Sequence, residues 1–214
     1  GLTIRDICQD IYSFAKHYTD MYFARSSDKV LKSLYGDMNT IRMEVAYPFL
    51  LKIHDDYDKK LITIEELREI VRLCVSYVLR RAVCGIPTNS LNKTFATMKN
   101  YIKPKDYLYS VKVFFLMLDS YKEFPNDESF IATFLTRDIY NMSRCRYILE
   151  RLENWDNKSV VSLDNLTIEH IIPQNPHLSS EWVSALGSDW SEVQKKYLHS
   201  IGNLTLTAYN PEMS

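Results

Sequence analysis

Glycine and proline are scarce, at five and seven in 214 residues, and no Gly-rich phosphate loop occurs. That scarcity, beside long apolar periodic stretches, argues against a β-sandwich or a Rossmann-like fold and for a predominantly helical body. Cysteine is sparse too. Cys8, Cys74, Cys84 and Cys145 form no Cys-x-x-Cys pair, which excludes a zinc ribbon and a disulfide framework; reduced core thiols and no zinc are expected. The longest purely apolar run, Val113 to Leu118, is far too short to cross a bilayer. No basic flank or signal-like segment opens the chain, so a soluble, cytoplasmic protein with no membrane partner is expected, and the five Asn-x-Ser/Thr sequons are coincidental.

What is present can bury a substantial core in one or two domains, with 46% apolar and 13% aromatic residues. Ile4, Ile7, Ile11, Phe14, Tyr18 and Tyr22 recur at three- and four-residue steps and predict an amphipathic helix over the first twenty-odd residues. Thr63 with Glu66 makes a capping box before Ile64, Leu67, Ile70, Val71, Cys74, Val75 and Val78; Gly85 and Pro87 end that helix, which should be central to the core. Further helices are expected over Tyr47–Tyr57, Ser90–Tyr101, Tyr107–Tyr121, Asp127–Thr136 and Ser143–Glu153. Polar Asn154 to Ser159 reads as the junction with a second module.

That module carries the chemistry. Leu166-Thr167-Ile168-Glu169-His170-Ile171-Ile172-Pro173 is a short β-branched run that ends in an acid, a histidine and a proline. It reads as a strand that stops abruptly, because proline donates no ladder hydrogen bond and restricts the residue before it. Leu204-Thr205-Leu206, after Ile201-Gly202-Asn203, reads as its partner, and Asn210 follows. Cutting a phosphodiester requires a base to activate water and a hard cation to neutralise charge on the phosphate and the departing oxygen. His170, Glu169 and Asn210 have that chemistry. Between the strands, Pro173 to His199 is a long insertion with a helix expected over Ser188–Leu198, terminated by Gly202 and pinned by Trp182 and Trp190.

Glu-His-Ile-Ile-Pro-Gln and Ile-Gly-Asn-Leu-Thr-Leu followed by Asn together resemble the HNH (His-Me finger, ββα-metal) module at the C-terminus of GmrSD-type modification-dependent restriction proteins. The stretches Arg80-Arg81-Ala82-Val83-Cys84-Gly85 and Asn89-Ser90-Leu91-Asn92-Lys93-Thr94-Phe95 resemble the region that precedes it. The resemblance implies His170 as general base, one divalent ion (Mg²⁺ or Mn²⁺) held by Glu169 and Asn210, and Asn203 as the brace of the loop. It further implies DNA, modified or foreign, as substrate in a restriction or phage-defence setting, and a nucleotide-dependent N-terminal domain of the same longer protein as partner. The expected architecture is therefore mainly α: a helical bundle domain over residues 1–153, then a small α+β HNH-like module over 160–214 that lacks its final helix. With Gly1 at its start and Ser214 four residues past Asn210, the sequence reads as a fragment of that longer protein.

Strand geometry opposes part of this picture. On a regular strand Glu169 and His170 point to opposite faces, so both can serve one phosphate only if the strand bends or bulges there; otherwise Glu169 faces the core rim. Charge is also uneven. From Val160 to Ser214 six acids stand against Lys195 and Lys196, a formal balance of −4, whereas Arg80 to Lys112 carries +6 in a chain of net charge −1. In that basic stretch Arg80, Arg81, Lys93, Lys99, Lys103 and Lys105 are the expected DNA contacts, with Tyr101, Tyr107 and Tyr109 interleaved. Solvated helix faces explain the same lysines equally well. Arg144 and Arg146 could reach a phosphate, but pairing with Glu150 on the same helix is the simpler role. His17, His54, His177 and His199 read as surface or helix-face residues. The competing function is a non-catalytic DNA-binding or partner-docking fragment with an incomplete nuclease module; a helical scaffold without nucleic acid ranks third.

Overall fold

The capping box at Thr63 sets the central helix. In a computed structural model that describes residues 3–157, 163 and 165–208, Thr63 Oγ1 accepts from Glu66 N at 3.2 Å while Glu66 Oε2 accepts from Thr63 N at 2.8 Å. Two otherwise orphan donors are thereby satisfied where the helix starts. The described residues form ten α-helices and one two-stranded antiparallel sheet, so the architecture is mainly helical with a small α+β element near the C-terminal end. They fall into two compact units, 1–126 and 127–214.

In the first unit the helices are α1 (Ile4–Tyr22), α2 (Lys29–Thr40), α3 (Tyr47–Asp58), α4 (Ile64–Val83), α5 (Leu91–Met98) and α6 (Tyr107–Leu116). The core sits where α4 packs on α2, α3 and α6, with Ile70, Val71, Cys74 and Tyr77 fully buried. α2 has no counterpart in the sequence reading. Asp28 starts it by accepting from Leu31 N at 2.9 Å, and Leu31, Leu34, Tyr35 and Met38 bury its apolar stripe. Gly36, a poor helix residue inside it, weakens the local signal, and packing overrides that weakness.

The apolar stripe of α1 forms as a helix face but is mostly uncovered: Ile4 is 82% exposed, Ile7 and Ile11 are also exposed, and only His17 and Met21 are buried. Periodicity says which residues share a face, not whether a partner covers it. α6 ends at Leu116, short of the expected Tyr121. Beyond it, residues 117–125 lie along α4, held by the side chains of that helix. Arg81 Nη1 donates to Tyr121 O at 2.9 Å, Arg81 Nη2 to Ser90 Oγ at 3.0 Å, Tyr77 Oη to Lys122 O at 2.7 Å and Arg80 Nη1 to Pro125 O at 3.0 Å. Ser120 takes a left-handed φ of 51°, which breaks helical continuity. Cys74 and Cys145 are buried as expected, whereas Cys8 is exposed and Cys84 half-buried.

The second unit holds α7 (Asp127–Thr136), α8 (Cys145–Glu153), β1 (Thr167–His170), α9 (Ser180–Leu186), α10 (Trp190–Tyr197) and β2 (Leu204–Thr207). α8 packs on β2, and α7 on the 3₁₀ turn Ile201–Asn203. α9 begins at Ser179, whose side chain accepts from Trp182 N, and it adds a helix to the insertion where none was expected. Trp182 and Trp190 are half-buried; the loop before α9 is held by Gln194 Nε2, which donates to Pro173 O at 2.7 Å and Asn175 O at 3.0 Å. Among the described residues no helix is long and apolar enough to cross a membrane.

Candidate active site

β1 is four residues long, and its register explains the site. Thr167 pairs with Thr207, Ile168 with Leu206, Glu169 with Thr205 and His170 with Leu204. The strand stops at His170, three residues before Pro173, as the sequence requires. One more ladder bond follows, Ile171 N to Asn203 O at 2.9 Å, and then the chain leaves the sheet. Arg146 steadies the approach to β1 by donating to Leu166 O at 2.8 Å, while its Nε lies 2.7 Å from Glu150 Oε1; the helix-surface pair is present, and the arginine faces the strand's own backbone.

Asn203 is buried, at 4% exposure, and uses both ends of its amide. Oδ1 accepts from Ile172 N at 2.7 Å, and Nδ2 donates to Leu198 O at 2.8 Å and Ile172 O at 3.3 Å. One side chain thus ties the segment that leaves β1 to the turn that enters β2. Few residues other than Asn could do this, because the task needs a donor and an acceptor on one short planar group.

His170 sits half-buried at the end of β1 with both ring nitrogens engaged. Its Nε2 is 3.1 Å from His199 Nδ1, and Gln174 Nε2 donates to its Nδ1 at 2.9 Å. Tyr140 closes the group: its ring meets His170 edge-on at 4.4 Å and stacks on His199 at 5.2 Å. The backbone joins the same cluster, since Ile139 N and Tyr140 N donate to His199 O at 2.8 and 3.2 Å. Burial, followed by the neighbouring His199, holds the His170 imidazole below the ordinary histidine range, with Glu169 and Asp138 pulling weakly the other way. The neutral ring is therefore favoured.

The other anticipated residues are distributed differently. Glu169 is exposed, and its carboxylate accepts one long hydrogen bond from Thr167 Oγ1 at 3.3 Å. Pairing is continuous from Thr167 to His170, with no bulge, so Glu169 and His170 leave opposite faces of β1. An exposed carboxylate suits a hard cation chemically, but no three His, Cys, Asp or Glu side chains converge on a metal-binding position among the described residues. Asn210 lies outside the described residues, as do Val160, Val161 and Asp164.

Of the basic residues, Arg81 is 1% exposed and its guanidinium is committed to Tyr121 O, Pro87 O and Ser90 Oγ inside the first unit. Arg80 donates to Pro125 O and lies over the Phe124 ring. Lys93, Lys99, Lys103 and Lys105 are exposed.

Sequence reasoning missed His199, Gln174 and Tyr140. Gln174 stands four residues after His170 and could have been suspected as a neighbour across a tight bend. His199 and Tyr140 approach through tertiary structure, 29 and 30 residues away along the chain in opposite directions. No local spacing announces them.

No curated protein matches the chain, and no solved structure does. Residues 124–214, which begin three residues before the second compact unit, match the family model of the C-terminal domain of GmrSD restriction endonucleases.

Proposed function

We propose that the chain is part of a DNA endonuclease of the HNH type, in which neutral His170 removes a proton from the water that attacks phosphorus. The family is one of restriction endonucleases, and a nuclease-related function with DNA as substrate follows at that level. The observation that carries the finer reading is His170 itself: a half-exposed imidazole at the abrupt end of β1, held at both nitrogens by polar side chains and kept neutral by its surroundings. A general base has to be unprotonated and within reach of solvent. Asn203 serves it indirectly, by fixing the chain on either side of the strand end.

A divalent ion, Mg²⁺ or Mn²⁺, would supply charge neutralisation on the phosphate and the departing oxygen. Glu169 and Asn210 are the donors we propose for it; the open carboxylate of Glu169 supports this. The functional module would run over 160–214, with residues 1–153 as the helical domain and a nucleotide-dependent domain as a further partner. Lys93, Lys99, Lys103 and Lys105 would gather DNA phosphates, without Arg81. A second reading, a DNA-binding or partner-docking module without hydrolysis, draws on Glu169 and His170 leaving opposite faces of β1.

A plasmid-nicking assay with added Mg²⁺ or Mn²⁺ separates the two. Positioned proton transfer is worth about 10²- to 10⁴-fold, so His170→Ala should lose at least about 10²-fold in rate while its helical circular dichroism stays unchanged. Nicking by that variant at the wild-type rate would exclude His170 as the base.

A further inference from the structure

An imidazole has two nitrogens and, when neutral, one proton, so what each nitrogen touches decides which of them is the base. Gln174 approaches His170 Nδ1 with its amide nitrogen at 2.9 Å, and an amide nitrogen can only donate. Nδ1 must then carry the lone pair. The proton is left on Nε2, which faces His199 Nδ1 at 3.1 Å. A proton pointed at His199 requires a lone pair there, which puts the His199 proton on its own Nε2.

His199 is well held for this task. Its carbonyl accepts from Ile139 N and Tyr140 N, and the Tyr140 ring lies nearly parallel to its imidazole, at 13° and 5.2 Å, while meeting His170 edge-on. Backbone and aromatic packing together restrict rotation of the acceptor. It is also fixed to the same brace as the rest of the site, because Leu198 O, one residue earlier, accepts from Asn203 Nδ2 at 2.8 Å.

We propose that His199 is a positioning residue: by accepting the Nε2 proton of His170 it orients that ring and directs the lone pair of Nδ1 toward Gln174 and solvent. The proposal rests on His170 being the base. Gln174 then marks the place that the attacking water occupies, and its exposed side chain has to swing aside for water to enter. Tyr140 contributes as the wall that keeps the two imidazoles from rotating apart.

The test uses the full chain with ¹⁵N-labelled histidine, at a pH where both imidazoles are neutral, beside the nicking assay. Wild-type His170 should show a protonated Nε2 and an unprotonated Nδ1. In His199→Leu, which has no acceptor, the two nitrogens should average toward a mixture of tautomers, and nicking should fall by about tenfold or more, a part of the gain that positioned proton transfer provides. His199→Asn places an amide oxygen near the lost Nδ1 and should restore the single tautomer and most of the rate. The amide signals of Ile139 and Tyr140 report whether the backbone around residue 199 is intact; if His199→Leu perturbs them, the Asn variant and the wild-type tautomer decide the matter. A wild-type His170 with its proton on Nδ1, or a folded Leu variant with unchanged tautomer and rate, would overturn the proposal. Failure of the base reading looks different: His170→Ala would nick normally while the tautomer of wild-type His170 still depended on residue 199.

Discussion

Two histidines show how the two compact units use the same side chain. In the helical unit His54 is buried, at 5% exposure; its Nδ1 donates to Leu50 O at 2.7 Å and its Nε2 accepts from Tyr35 Oη at 2.5 Å. Both nitrogens face partners that the fold holds in place. In the second unit His170 is held as fully, but by a histidine and an exposed glutamine, and it stays within reach of water. Full satisfaction in an enclosed site makes His54 structural; the exposed Gln174 beside His170 is what, on the base reading we propose, would give way to water. The same contrast runs through other polar groups: Arg81 and Asp56 sit inside the helical unit, whereas Glu169 and Gln174 are exposed in the second.

The contrast is sharpest at Arg81, where the largest stability effect is expected. Arg81→Ala would strip partners from the carbonyls of Tyr121 and Pro87 and from Ser90 Oγ, and leave a cavity beside Tyr77, whose ring the guanidinium faces at 5.2 Å. Unsatisfied buried acceptors and lost packing together should cost about 4 kcal/mol, measured by urea unfolding. A cost below about 1 kcal/mol would show that residues 117–125 do not depend on Arg81.

His54 comes next, through pH. Burial pushes its imidazole down to about 4 from an ordinary 6.5, so the unfolded chain binds the proton more readily than the folded one. The contribution is fully present above about pH 6.5 and is lost progressively as pH falls toward 4, by up to about 3 kcal/mol. Unfolding free energies across that window should show the loss, and His54→Phe should flatten it.

Asn203→Ala should cost less, about 2 kcal/mol, because it removes three hydrogen bonds in a half-exposed region where water can replace part of what is lost. Its signature is local: amide exchange should quicken at Ile172, whose N–H donates to the Asn203 side chain, and nicking should fall. Unchanged protection at that amide would remove Asn203 as the brace.

How much of this was legible follows from the range of the interactions. α4 was readable because its capping box is written within four residues, and the strand pair because a proline, a Gly-Asn turn and β-branched residues are local signals. Motif words alone pointed to His170 and Asn203. The partners of His170 were not, since His199 and Tyr140 meet it across a long insertion and through ring packing that no periodicity encodes. Within the basic stretch, Arg81 was misplaced for a related reason. Charge in sequence cannot tell an arginine that turns inward to backbone carbonyls, as Arg81 does, from a lysine that stays in water.

That last distinction yields the prediction with the smallest effect on stability and the clearest effect on binding. Lys99, Lys103 and Lys105 are exposed, so reversing all three to glutamate should change stability by less than about 0.5 kcal/mol per site. If they contact phosphates, each lost contact removes about 0.9 from the slope of log K against log salt, and the triple variant should bind duplex DNA with a slope shallower by about 3. Affinity should fall for every sequence alike, because phosphate contacts position DNA without reading it. Titrations at several salt concentrations measure both quantities. Unchanged affinity and slope would return these lysines to the role of a solvated face and leave the second unit to find its substrate without help from this surface.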